Sequence, residues 1–171
     1  MNATPQWFAR AGAPLAAEDR ADGVAVLEAR GHRAPAADAV LLLPSWRVAA
    51  TWTNDSTMAE CWDDDEDERE ALWTRAAADL GEGALLALLT GATTAAAPQV
   101  RAAAMAAAGS AGTDDPEVVA TACASALLAL HQCVLAQTTG TPADHPFLRK
   151  YALFARGRWA LGYREGVYGI Y

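Results

Sequence analysis

From Val118 to Ala143 the chain carries no Asp, Glu, Lys or Arg, and this uncharged stretch limits the available folds more than any other feature. A run of that length is either the core helix of a bundle or a bilayer span. Its punctuation is helical: Asp115 stands where a cap belongs, Pro116 in the first turn and Gly140 beyond the last. Thr121, Ser125, His131 and Gln132 interrupt it, and its flanks offer acidic Asp114, Asp115 and Glu117 without an aromatic belt. These interruptions favour a buried helix over about 116–139, apolar on almost every face and therefore central to a water-soluble bundle.

The rest of the chain reads as further helices around that axis. Residues 1–15, with Pro5, Gly12 and Pro14, form an irregular arm pinned by Trp7 and Phe8. Ala16 to Ala29 is helical and stops at Gly31, with Glu18 and Asp19 near the positive end of its dipole. A short helix over Ala36 to Leu43 is stopped by Pro44, and Ser45 to Trp62 holds one or two more. The apolar stripe Leu72, Trp73, Ala76, Ala77, Leu80 leads to breaks at Gly81 and Gly83, and the next helix ends at Gly91. Pro98 opens another that closes at Gly109, and Pro146 opens one that ends at Gly157. Arg158 to Tyr171 then alternates Trp159, Leu161 and Tyr163 inward around the turn Arg164-Glu165-Gly166, a β-hairpin with Arg158 and Arg164 in water and Val167 to Tyr171 as an edge strand.

The fold class is therefore mainly α: one domain over 1–171, an irregular multi-helix bundle of five to seven helices around the central apolar helix, with a C-terminal β-hairpin over about 158–171. Pro98 to Ala104 followed by Asp115 to Val119 resembles in cadence one unit of the HEAT-like helical repeats. No second copy follows, and a solenoid requires at least three.

Charge narrows the function classes. Thirteen Lys and Arg against 21 Asp and Glu give a net charge of −8, which repels phosphate backbones and anionic lipid surfaces. Neither nucleic acid nor a membrane is expected as a partner, and a basic protein is the electrostatically favoured one. Lys150 is the only lysine beside twelve arginines, and alanine is abundant, a usage typical of high-GC bacterial genomes. The N-terminal residues have neither a basic n-region nor an apolar h-region, and Cys61, Cys123 and Cys133 are odd in number with no CxxC spacing. A reducing cytoplasm fits both observations.

The strongest polar feature is the run Glu60, Asp63, Asp64, Asp65, Glu66, Asp67, Glu68 and Glu70, beside Trp62 and Trp73. As an exposed acidic surface with aromatic anchors it points to a non-enzymatic interaction protein, such as an inhibitor or immunity-type protein, that binds a basic partner. Five of the thirteen basic residues, Arg149, Lys150, Arg156, Arg158 and Arg164, fall in the last quarter. Whether they meet the acidic run within the chain is left open by sequence.

Two alternatives stand beside that reading. A helical metal-dependent enzyme would draw on Glu60, Asp63, Glu70, Asp79, His131 and His145, although the Glu-x-x-His pairs of carboxylate-bridged bundles do not occur. A homodimeric accessory subunit would pair through the hairpin or the arm. A catalytic thiol is poorly served, since His131 and Cys133 point to different helix faces and Cys123 lies two turns from His131. The chain has no phosphate-cradling glycine loop, nucleophile elbow or dinucleotide fingerprint, so no cofactor is expected.

Overall fold

The computed structural model describes residues 5–32 and 39–171. Six helices and a three-stranded sheet follow one another as α1 (Ala17–Ala29), β1 (Val40–Leu42), α2 (Trp46–Asn54), a 3-10 turn (Ser56–Met58), α3 (Ala59–Leu80), α4 (Glu82–Ser110), α5 (Pro116–Thr138), α6 (Pro146–Ala155), β2 (Ala160–Arg164) and β3 (Val167–Ile170). The fold is thus a mainly helical bundle with a small C-terminal sheet.

The clearest punctuation produces the expected elements. The Asp115 carboxylate accepts from the Glu117 N–H at 3.0 Å, Pro116 occupies the first turn, and Gly140 adopts φ +64° just past the end of α5. Along α5, Val118, Ala122, Ala126, Ala129, Cys133 and Ala136 are buried, and the helix packs against α2, α3, α4 and α6. It is the axis of the bundle, though not apolar-packed all round: Pro116, Ala120, Ala124 and Leu128, four residues apart in succession, form a solvent-facing stripe.

Elsewhere the chain departs from sequence expectation in instructive ways. Val40 to Leu42, expected at the end of a short helix, is a strand parallel to β3 with Val40 opposite Tyr168 and Leu42 opposite Ile170; residues 36–38 of that expected helix lie outside the described residues. A Val-Leu-Leu run with a buried partner strand gains more from pairing than from a single helical turn. The terminal hairpin forms with Glu165 at φ 50° and Gly166 at φ 75°, both in the left-handed region that a two-residue turn demands. Because β1 takes its other side, β3 is the central strand of the order β1-β3-β2 and not the edge strand expected, the edges being β1 and β2.

Strict inward and outward alternation also fails in β2. A bulge between Ala160 and Gly162 lets Trp159, Ala160, Leu161 and Tyr163 all be buried. The sheet is covered on both faces. A Cβ at Gly23 of α1 would meet Val40 at 2.9 Å, while Trp52 of α2 lies against Gly169 and the Cys61 and Met58 side chains lie against Gly162.

α4 runs unbroken through Gly91 and Pro98, so neither an end at Gly91 nor a start at Pro98 occurs. The helix closes at Ala111 and Gly112 rather than Gly109. Pro98 cannot donate to the carbonyl of Thr94, but both residues are exposed and water can satisfy that oxygen. Leu86, Leu88 and Met105 of α4 are exposed. Among the described residues two helices, α4 and α5, are long and apolar enough to cross a bilayer by length and composition.

Aromatic packing fixes the N-terminal segment. Trp7 and Phe8 are buried among Tyr151, Phe154, Trp46 and Trp159, and the Arg10 N–H donates to the Gly157 carbonyl at 2.9 Å. Gly157, with φ +89°, leaves no room there, since an added Cβ would stand 2.8 Å from the Arg10 nitrogen. Gly157→Ala is expected to cost about 2 kcal/mol or more, from strain and backbone displacement together. A lowered urea midpoint with faster exchange of the Arg10 amide is the predicted result; an unchanged midpoint would refute it.

Candidate functional site

The acidic run lies inside α3, whose entry is set by Asp55: its carboxylate accepts from the Thr57 N–H at 2.9 Å and starts the 3-10 turn that leads into Ala59. Starting the helix there places the acids over its first three turns. With 3.6 residues per turn, Cys61, Asp64, Asp65, Glu68, Leu72 and Ala76 share the inner face, and Glu60, Asp63, Asp67 and Glu70 share the outer one.

The inner acids are consumed within the chain. Asp65 accepts from Lys150 Nζ at 2.7 Å, from Arg30 at 2.9 Å and from the Gln132 amide at 3.2 Å. Burial pushes its carboxyl up, but Lys150, Arg30 and Gln132 together outweigh that effect and hold it below the usual carboxylate range. Burial likewise works against the Lys150 ammonium, and Asp65 reverses the balance, keeping it charged. Glu68 faces His145 Nε2 at 3.1 Å and Arg30 at 3.8 Å. His145 Nδ1 accepts from the Phe147 N–H as the cap of α6, so Nε2 carries the hydrogen and donates to Glu68. The Tyr163 hydroxyl donates to Asp64; burial and that bond push the phenol upward.

These contacts correct the expectation that the whole run is an exposed surface. Asp64, Asp65 and Glu68 are structural, and Glu66 is exposed but paired with Arg69 one turn on. Glu60, Asp63, Asp67 and Glu70 remain exposed along the outer face, a solvent-facing stripe of four carboxylates. The two aromatic anchors separate as well. Trp62 is 45% exposed, whereas Trp73 is half-buried against the second hydrophobic cluster of Leu72, Ala76, Leu85, Leu89, Leu135, Ala136 and Phe147.

A second buried ionic centre lies at the other end of the fold. Arg158, expected in water, is fully buried and donates to Asp19 at 2.9 Å and to the carbonyls of Arg10, Ala13 and Pro14 at 2.5 to 2.6 Å. Asp19 is also fully buried, where burial raises its carboxyl but the Ala16 N–H, Arg158 and Arg156 together hold it low. Asp22 takes Arg149 at 2.9 Å and Arg156 at 2.5 Å. With Arg164 stacked 3.8 Å over the Trp52 ring and facing Asp55 at 3.6 Å, all five basic residues of the terminal quarter find partners within the chain. Asp22 and Arg30 carry no expected role in the sequence, and Asp19 only that of a dipole-complementing acid at the start of α1. The signal available is helical spacing, which puts Asp19, Asp22 and Arg30 on the same face of α1 as the apolar Val26.

The chemistry available elsewhere is limited. Burial pushes the Cys61 and Cys133 thiols up to about 11 and raises Cys123 as well, which keeps all three protonated and weakly nucleophilic at neutral pH. Burial lowers His131. Among the described residues no three His, Cys, Asp or Glu side chains come together as a metal-holding group, so Glu60, Asp63, Glu70, Asp79, His131 and His145 are not assembled into one site. Comparison of the chain with models of known protein families, with characterised proteins and with solved structures gave no match.

Proposed function

We propose that the chain is a non-enzymatic interaction module, of the inhibitor or immunity type, that engages a basic partner protein through the outer face of α3. The observation that supports this reading is the segregation of one acidic run onto two helix faces. The inner acids are paired within the chain, Asp65 with Lys150 and Arg30 and Glu68 with Arg30 and the His145 N–H, while Glu60, Asp63, Asp67 and Glu70 stay in solvent on the outer face of α3. Trp62, half-exposed next to the stripe, is an anchor of the kind that carries interface affinity. The stripe steers a cationic partner and the aromatic ring holds it.

Changing Glu60, Asp63, Asp67 and Glu70 together to lysine is expected to slow association with the native basic partner by about tenfold or more at low salt, with little effect at high salt. The partner is recovered from the native host at low ionic strength, and association rates are measured at two salt concentrations. The unfolding midpoint is expected to hold, because none of the four acids serves a buried cation. An unchanged on-rate at low salt removes the reading.

A further inference from the structure

Between α2, α3, α5 and β2 lies a cleft of about 610 Å³, within the size range of small-molecule sites. By their exposure, Trp62 and Leu128 stand at its mouth, and the buried Met58, Leu161 and Gln132 lie deeper with Lys150, forming its floor. Trp62 and Leu128 are 45% and 47% exposed, an unusual fate for two large apolar side chains facing one concavity. The floor carries an unmet hydrogen-bonding demand. Gln132 is 1% exposed, its amide N–H donates to Asp65 Oδ2, and its carbonyl oxygen Oε1 is buried with no hydrogen-bond partner in the chain. Leaving such an acceptor unsatisfied is costly. Lys150 donates one of its three N–H groups to the same Asp65 Oδ2, so the ammonium and the amide stand side by side. The charged residues lining the cleft are Asp65, Glu66, Arg69 and Lys150, which sum to zero.

We propose that this cleft is a binding site for a neutral aromatic alcohol. The ring lies between Trp62 and Leu128, and the hydroxyl donates to Gln132 Oε1 while accepting from Lys150. Two groups adjacent on one carboxylate oxygen, one a spare acceptor and one a spare donor, match the single group that is both. The balanced charge of the lining disfavours an anion or a cation. The cleft shares Trp62 with the proposed partner face of α3 but includes none of its four outer carboxylates, so the ligand test stands whether or not that face binds a protein.

The test uses 2-naphthol against 2-methoxynaphthalene, which keeps the oxygen as an acceptor but cannot donate. Binding is followed by calorimetry and by NMR of the Gln132 side-chain amide and the Trp62 indole. The expected result is saturable binding of 2-naphthol that shifts both signals, with the methyl ether at least about tenfold weaker. Gln132→Met is expected to equalise the two compounds. Ala124→Trp, a substitution at an exposed cleft residue away from the floor, is expected to block both without unfolding the chain, so the site stays testable even if Gln132→Met fails to fold. No binding, equal affinities in the parent protein, tighter binding of a charged analogue such as 2-naphthoate, shifts confined to other surfaces, or full binding by folded Ala124→Trp would each overturn the proposal.

Discussion

Asp65→Asn is expected to lower the free energy of unfolding by about 3–5 kcal/mol, the usual penalty when one partner of a buried ion pair is removed and the other remains. Lys150 is 13% and Asp65 17% exposed at the side chain, and asparagine would leave the ammonium and the Arg30 guanidinium without their shared counter-charge. The double change Asp65→Leu with Lys150→Met is expected to recover part of that loss, since apolar replacement of a buried pair is often neutral or stabilising and Glu68 still faces Arg30 at 3.8 Å. Urea denaturation of the parent, single and double variants measures both. A single variant within about 1 kcal/mol of the parent, or a double variant no better than the single, refutes the account. The pH dependence follows the same logic. Asp65 and Asp19 are held below their ordinary values in the folded state, so their contribution is present above the unfolded carboxylate pKa near 3.9 and is lost as pH falls through the folded values. The parent is expected to lose stability below about pH 4, and the double variant to lose less of it.

The second large effect belongs to Arg158. Its guanidinium is fully buried and binds Asp19 and three carbonyls of the segment from Arg10 to Pro14, so Arg158→Met strips four acceptors of their donor at once. The expected cost is about 3–5 kcal/mol, accompanied by proteolytic cleavage near residues 9–14 in the folded protein. Arg158→Lys is expected to recover little, because a single ammonium cannot reproduce the planar fork that reaches separate carbonyls. Urea midpoints together with limited proteolysis distinguish this from uniform destabilisation. Cleavage spread evenly over the chain, or near-parental stability of Arg158→Lys, counts against the role assigned here.

These residues show where a single sequence stops being informative. The helices α5 and α6 and the terminal turn are legible because their determinants are local: Asp115 with Pro116 and Gly140, Pro146 with Gly157, and Glu165 with Gly166 each specify backbone geometry within a few positions. β1 is not, because what makes Val40 to Leu42 a strand is β3, well over a hundred residues later. Pro98 and Gly91 mislead for a related reason. Long-range packing against α5 sustains α4 where propensity alone predicts two helices. The division of the acidic run was within reach. Once α3 is started at Ala59, helical phase alone separates Asp64, Asp65 and Glu68 from Glu60, Asp63, Asp67 and Glu70. The identity of the inner partners, Lys150, Arg30 and His145, depends on contacts across the fold that no periodicity encodes.

The ion pair on the inner face of α3 has a further practical consequence. The chain's one lysine is inside the bundle, so the folded surface presents guanidinium groups and no side-chain primary amine. An acylating reagent therefore meets this side chain only by way of the cleft it lines, where the ammonium is already held by Asp65. The modification rate of that single nitrogen becomes an intrinsic gauge of how open the cleft and its ion pair are, readable by mass without introducing any label.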